Sequence, residues 1–197
     1  MINTPKIKSI YSEIQTKLFY MVPERWNRIY LYASVIENIN NIETGEMFFY
    51  YFPKGILKKN SVNVYEVPAK FNIDEKAYLK LADDLYKKIK ELRKELQLSG
   101  ERPWSNITIS IENFKFNVEY SYENLISSKY SNYDRHIIWK YKYLGYPIER
   151  LNKKEKKMIE EYLIEEKFKI NDMANYSEKV YASEVHNIIE YDKQENN

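Results

Sequence analysis

Residues 103–122 read PWSNITISIENFKFNVEYSY, and their alternation decides the fold. Ile107, Ile109 and Ile111 fall on one side of an extended run, Thr108, Ser110 and Glu112 on the other. After a corner at Glu112 and Asn113 the pattern resumes, with Phe114, Phe116, Val118 and Tyr120 set against Lys115, Asn117, Glu119 and Ser121. Successive side chains of a strand point to opposite faces. Two such runs joined by a polar pair therefore predict an antiparallel hairpin with one dry and one wet face. The dry face has to be covered, and the long amphipathic segments of the chain have helical period, so the hairpin predicts a sheet that floors a layer of helices.

The segment just before the hairpin supplies one cover. Asp74 or Asn72 opens the longest helix, in which Tyr78, Leu81, Leu85, Ile89, Leu92 and Leu96 recur at steps of three and four, and Gly100 stops it. The seam is shorter than four heptads and adjoins an uncovered sheet, which favours packing on that sheet over coiled-coil pairing. A second cover comes from the start of the chain. Thr4 caps and Pro5 begins a helix whose stripe is Ile7, Ile10, Tyr11, Ile14, Leu18 and Met21, ended by Pro23. Between these helices lie three β-rich runs: 26–36, 47–52 ended by Pro53, and 61–67 closed by Pro68. The first sets Ile29, Leu31, Ala33 and Val35 against Tyr30, Tyr32 and Ser34. A polar turn with a positive φ at Gly45 and a basic loop over 54–60 join them into a meander.

After the hairpin the chain turns helical. A helix is predicted over 134–144, and Asn152-Lys153-Lys154-Glu155 has capping-box spacing for another that runs to about 168 with Met158, Ile159, Leu163 and Phe168 inward. Residues 180–189 could form one further short helix in a polar tail. The expected class is α+β: an antiparallel sheet of about five strands, meander plus hairpin, covered by amphipathic helices, with a helical C-terminal third. One domain is expected over 1–168 and an extension over 169–197.

Composition narrows the function. The 197 residues hold 44% hydrophobic and 30% charged side chains, an ordinary soluble mix, with 20 Tyr. Tyrosine suits half-buried sheet positions and interfaces alike. The 31 basic and 29 acidic residues leave a formal charge of +2, short of the concentrated basic excess of a nucleic-acid binder. With no Cys, a disulfide scaffold, a thiolate zinc site and a Cys nucleophile are excluded. No apolar run has the length of a signal peptide core or a membrane span, so a cytoplasmic protein that does not engage membranes is expected.

Catalytic and cofactor motifs are missing. The four Gly form no phosphate cradle, His136 and His186 stand outside metal-binding spacings, and no Ser sits in a nucleophile elbow. The acid pairs Asp83-Asp84, Glu160-Glu161 and Glu165-Glu166 diverge by about a hundred degrees on a helix and read as solvated faces. No enzyme, metal or cofactor is expected. The Lys140–Lys142 segment beside Trp139, Tyr141 and Tyr143 could stack bases and contact phosphates, which keeps a nucleic-acid-binding adaptor as the alternative. The same alternation also arises where lysine stems cover rings.

Certain residues come in a recognisable order. Pro23 leads to Trp26 and a strand; Gly45-Glu46 opens Phe48-Phe49-Tyr50-Tyr51; a long helix precedes Pro103-Trp104 and a hairpin ending in Val118-Glu119-Tyr120. Arg135, Lys140-Tyr141, Gly145 and Pro147 follow. Over residues 5–167 this resembles the YezG family of antitoxins, immunity proteins that accompany secreted polymorphic toxins of Gram-positive bacteria. The resemblance implies a non-enzymatic cytoplasmic protein that binds the toxic C-terminal domain of its partner, typically a nuclease exported by the type VII system. Such a protein is expected to be a monomer or weak homodimer when free. Two features depart from the family: the slight basic excess and the tail beyond 168.

An inhibitor needs tight binding, which calls for aromatic anchors and a rim of charge. On that reading Glu119 and Glu123, with Glu43 and Glu46, would face the toxin's cationic groove, with Tyr122, Trp139 and Tyr141 as anchors. Trp26 and Trp104 are assigned to the core or its edge.

Overall fold

The fold was obtained as a computed structural model, which describes residues 4–37, 43–55, 60–113 and 115–168. The chain divides into two compact units, the first ending at Lys129 and the second starting at Tyr130.

In the first unit α1 spans Pro5–Met21. The Thr4 hydroxyl accepts from the Ile7 amide at 3.2 Å, and the expected stripe of Ile7, Ile10, Ile14, Leu18 and Met21 is buried. The strands are β1 Trp26–Ser34, β2 Ile36–Glu37, β3 Glu43–Thr44, β4 Met47–Pro53 and β5 Val62–Asn63. A short α2, Val67–Phe71, precedes the long α3, Glu75–Leu98, and the hairpin follows as β6 Asn106–Glu112 and β7 Lys115–Ser121. Asp74 caps α3, accepting from the Ala77 amide at 2.6 Å, and Gly100, at φ +89, follows its last turn. Five strands form one antiparallel sheet in the order β5-β4-β1-β6-β7, and β2 and β3 form a separate two-stranded ribbon. The hairpin and the meander thus meet at β1, which pairs with β4 on one side and β6 on the other.

One face of the sheet carries Ile29, Leu31, Ala33, Phe49, Tyr51, Ile107, Ile109 and Ile111, all packed with the stripes of α1 and α3. The two helices run antiparallel, because Lys6 pairs with Glu95 and Lys88 with Glu13. Each buried Leu or Ile of this core contributes about 1.5–3 kcal/mol relative to its exposed state. Trp104 is buried in it, and Trp26 packs at its edge.

Two expectations are corrected. The run 61–67 is not a full strand: it pairs only over Val62–Asn63, then turns through a 3₁₀ helix at Val64–Glu66 into α2. Asn63 caps that turn, accepting from the Tyr65 amide at 3.0 Å, and Pro68 stands near the start of α2, where its missing N–H costs nothing. The opposite face of the sheet is also not uniformly wet. Tyr30, Tyr32, Phe48, Tyr50 and Phe52 are buried there as a second layer of rings, with Tyr32 and Phe48 stacked at 4.8 Å and Arg28 lying 4.2 Å over Phe52. Exposure on this face is clearest at Lys115, Asn117 and Glu119 of the edge strand β7.

The second unit contains α4, Asn132–Leu144, a 3₁₀ turn at Ile148–Arg150, and α5 over 153–168. A capping box between Ser131 and Asp134 starts α4, and Gly145 in the left-handed region ends it. Asn152 and Glu155 form the second box as the sequence predicts. Ile137, Ile138, Leu151 and Ile159 make its core, with Met158 and Leu163 packed beside them. Phe168, expected inward, is 65% exposed. It sits at the last described turn of α5, beyond the stretch that Ile159 anchors. Residues 180–189 and the rest of 169–197 lie outside the described residues.

Candidate partner-binding site

The four acids singled out by sequence do not share one face. Glu119 stands opposite Thr108 on the outer, ring-bearing face of the sheet. Glu123 lies four residues on, about 13 Å away along an extended chain, and its carboxylate accepts from the Asn106 side chain at 2.9 Å. Asn106 pairs with Ser34 and Ser121 on that same outer face, so Glu119 and Glu123 flank one edge of it.

Glu43 belongs to the β2–β3 ribbon and reaches the other way. Its carboxylate lies 3.5 Å from Lys90 of α3, on the helix-covered side. Glu37 of the same ribbon pairs with Arg93 of α3. Glu46 is half-buried and fixed by its backbone: its amide donates to the Ser34 hydroxyl at 3.2 Å and its carbonyl accepts from the Ser34 amide at 2.9 Å. These contacts make the ribbon a strap against α3.

Tyr122 is 41% exposed and leaves the strand on the side opposite Glu123, beside Tyr120 and Trp104. The Arg102 guanidinium lies 5.2 Å from its ring. The cation is attracted to the electron-rich face of the ring and backs it on one side. Below it, Tyr120 and Tyr11 are joined through their hydroxyls, and burial pushes both phenols above their ordinary range.

In the second unit Trp139 is buried, at 4% exposure, with its ring 5.5 Å from Tyr143. Tyr141 is half-buried and lines a cleft of about 690 Å³ with Tyr146, Ile148, Tyr162 and Leu163. The lysines of this segment are occupied: Lys140 lies 4.7 Å over Tyr146 and Lys142 5.0 Å over Tyr143. Burial holds the Lys140 ammonium below its usual pKa. His136 is likewise half-buried, and burial, then the nearby Lys140 charge, lowers its pKa to about 4. It is neutral at physiological pH.

One feature was invisible to motif reading. Phe19, Trp26, Arg25, Asn27, Lys54 and Asn113 surround an open cleft of about 690 Å³ where the end of α1, the start of β1, the end of β4 and the hairpin corner meet. These residues come from four stretches of chain, and only the β1–β4 and β1–β6 registers bring them together. The nearest sequence signals are the unusual Arg25-Trp26 pair after Pro23 and the lone Lys54 after Pro53.

Among the described residues, no three His, Asp or Glu side chains are grouped to hold a metal ion. No described helix is long and apolar enough to cross a membrane. What the structure offers is recognition equipment: a rigid layered scaffold, exposed carboxylates at a sheet edge, and rings backed by cations. The chain belongs to the YezG-like immunity protein family, whose sequence profile matches residues 7–160. It is 29% identical over 162 residues to the immunity protein YezG of Bacillus spizizenii, covering 82% of this chain and 95% of that protein. The immunity protein YezG of Bacillus subtilis is 28% identical over 142 residues, 71% of this chain and 88% of its own length. The type VII secretion system protein EsaG of Staphylococcus aureus is 27% identical over 163 residues, 81% of this chain and 95% of its own.

Proposed function

We propose that this chain binds the toxic domain of a cognate secreted toxin inside the producing cell and holds it inactive, and that the toxin is a nuclease. The observation that carries the reading is the family match over 7–160, which spans both compact units. The likeness to a type VII secretion system protein supports a toxin that uses that route.

The surface supports the reading in one respect above others. Glu119 and Glu123 stand on the outer face along β7 and just past its end, whereas Glu43 reaches the helix-covered side and Glu46 is half-buried beside Ser34. Carboxylates at a sheet edge complement a protein surface shaped for phosphate, and they raise the rate of capture. Tyr122 and Tyr141 are the exposed and half-exposed rings suited to anchor a partner, and buried Trp139 orders α4. The nucleic-acid alternative loses its stacking platform, because the Trp139 ring is buried and both lysines lie over tyrosines.

Co-expression with the toxin-like gene beside this one, then pull-down and a nuclease assay, tests the proposal. A stable complex with suppressed nuclease activity is expected. A free, fully active nuclease would sink it for that pair. A complex whose toxin has another activity would retain the immunity role and remove the nuclease.

A further inference from the structure

The cleft at the end of α1 has a composition that its place in the fold does not require. Its floor is the Phe19–Trp26 pair, with ring centroids 5.2 Å apart, and Phe19 is 37% exposed. Its rim carries two exposed cations, Arg25 and Lys54. Neither side chain has a hydrogen-bonding or ionic partner among the described residues. Glu24 also lines the cleft, but its carboxylate is already engaged: it accepts from the Tyr51 hydroxyl and from Lys70, both at 2.9 Å. With Lys70 set against Glu24, the excess charge facing the cleft is the positive charge of Arg25 and Lys54, opposed by the partial negative charge at the end of α1, which fades within a turn.

The rim is also held in place before anything binds. The Lys54 amide donates to the Arg25 carbonyl at 2.7 Å, so the two cations sit on backbones locked to each other. Trp26 is in register with Pro53, and prolines 23 and 53 restrict the chain on both sides. A preformed site loses less entropy on binding than one that must order itself. Asn27 and Asn113 add neutral polar groups to the lining, and each side-chain amide offers both a donor and an acceptor.

We infer that this cleft receives an acidic, partly apolar peptide segment of the partner toxin. The inference rests on the immunity role proposed above. Each chemical group of such a segment has a counterpart: carboxylates for Arg25 and Lys54, peptide groups for Asn27 and Asn113, an apolar side chain for the rings. Carboxylates in turn match a guanidinium that can bind them through two parallel hydrogen bonds. A nucleic-acid strand fits less well. It needs a run of phosphate contacts and an open ring face, whereas here two cations flank rings packed on each other. The cleft would give the protein a cationic contact separate from the acidic sheet edge.

Two measurements on the full chain test the inference. In the first, NMR follows the Trp26 indole N–H during titration with a capped Asp-Leu-Asp-Glu-Leu peptide, a Lys-Leu-Lys-Lys-Leu peptide and a thymidine hexanucleotide. A saturable shift with the acidic peptide alone, lost in Arg25→Glu/Lys54→Glu, is expected. No shift, or a shift with the oligonucleotide instead, overturns the inference. In the second, the toxin domain is titrated against wild type and the double variant, whose exposed positions leave the fold intact by circular dichroism. The double variant is expected to bind at least tenfold more weakly. Equal binding by both overturns the cleft while upholding the immunity role. Failure of wild type to bind sinks that role, and the peptide result then stands for the cleft on its own.

Discussion

Gly45 sits between β3 and β4 with its α-carbon pressed against β1 and α3. A Cβ built there would lie 2.0 Å from the Ser34 carbonyl oxygen and 2.5 Å from the Tyr86 hydroxyl. That hydroxyl donates to the same carbonyl at 2.7 Å, so a side chain would part a strand from the helix that braces it. Gly45→Ala is expected to lower stability by about 2–4 kcal/mol, read as a fall in the urea midpoint at unchanged slope. A loss below about 1 kcal/mol would show that the contact relaxes cheaply. His136 supports a different residue-scale prediction. Its folded pKa, about 4, lies below the ordinary 6.5, so on acidification the unfolded chain takes up the proton first. The stability this contributes is complete above pH 6.5 and is lost as pH falls toward 4. Allowing for solvent screening, the loss is about 1–2 kcal/mol. Asp134 and Glu155, whose hydrogen bonds hold their carboxyls below the usual range, add a further loss at lower pH. Subtraction isolates the histidine. His136→Gln is expected to flatten the melting temperature between pH 6.5 and 4, and a profile parallel to wild type would refute the assignment.

At the scale of elements, the joint between α3 and the hairpin depends on one charged side chain that the apolar seam conceals. Arg93 is buried on the core side of α3, donating through Nε to the Trp104 carbonyl at 2.7 Å and through Nη1 to Glu37. It ties the helix to the Pro103-Trp104 entry of the hairpin and to the β2–β3 ribbon in one contact. Arg93→Ala strands the Trp104 carbonyl while the exposed Glu37 carboxylate returns to water, and is expected to cost about 2–3 kcal/mol. Chemical denaturation measures it; a cost within about 1 kcal/mol would mean that water replaces the guanidinium. The elements themselves were legible wherever a period ran long enough. The alternating hairpin, the α1 stripe and the α3 seam all follow from one buried face, and Asn152 starts its helix as local capping chemistry requires, whereas α4 begins at Asn132 behind the Ser131 cap, two residues before the expected start. Residues 61–67 misled because Val62, Val64 and Val67 suit a strand, while Asn63 and Pro68 serve as cap and helix start. The burial of both faces of β1 and β4 was equally hidden, since tyrosine reads as wet or dry depending on what lies over it. Arg93 was missed for a related reason: a cation inside a seam looks like surface until its partners, distant in sequence, are placed.

For the whole molecule, the proposed role asks how a slightly basic chain would present acid to a partner. Its net charge of +2 says little, because most exposed charges are interleaved and cancel locally, as where Lys87 meets Asp83 and Asp84. Sign is separated by position instead. Glu119 and Glu123 lie toward the end of β7, and the cations Arg25 and Lys54 at the α1–β1 end. The sequence revealed the acids as residues, but their division between two faces depends on register, which pairs Glu119 with Thr108 and turns Glu43 toward Lys90. This arrangement predicts which acids matter. Glu119→Gln/Glu123→Gln removes both charges, while the amide oxygen introduced at the second position still accepts from Asn106. The pair is expected to slow association with the toxin domain about tenfold at low ionic strength and to weaken the salt dependence of that rate. Glu43→Gln, which lies on the helix-covered side beside Lys90, is expected to leave the rate within about twofold. Stopped-flow association at two salt concentrations checks both. If Glu43→Gln slows capture and the edge pair does not, the toxin approaches the helix-covered side, and the acidic edge is only surface.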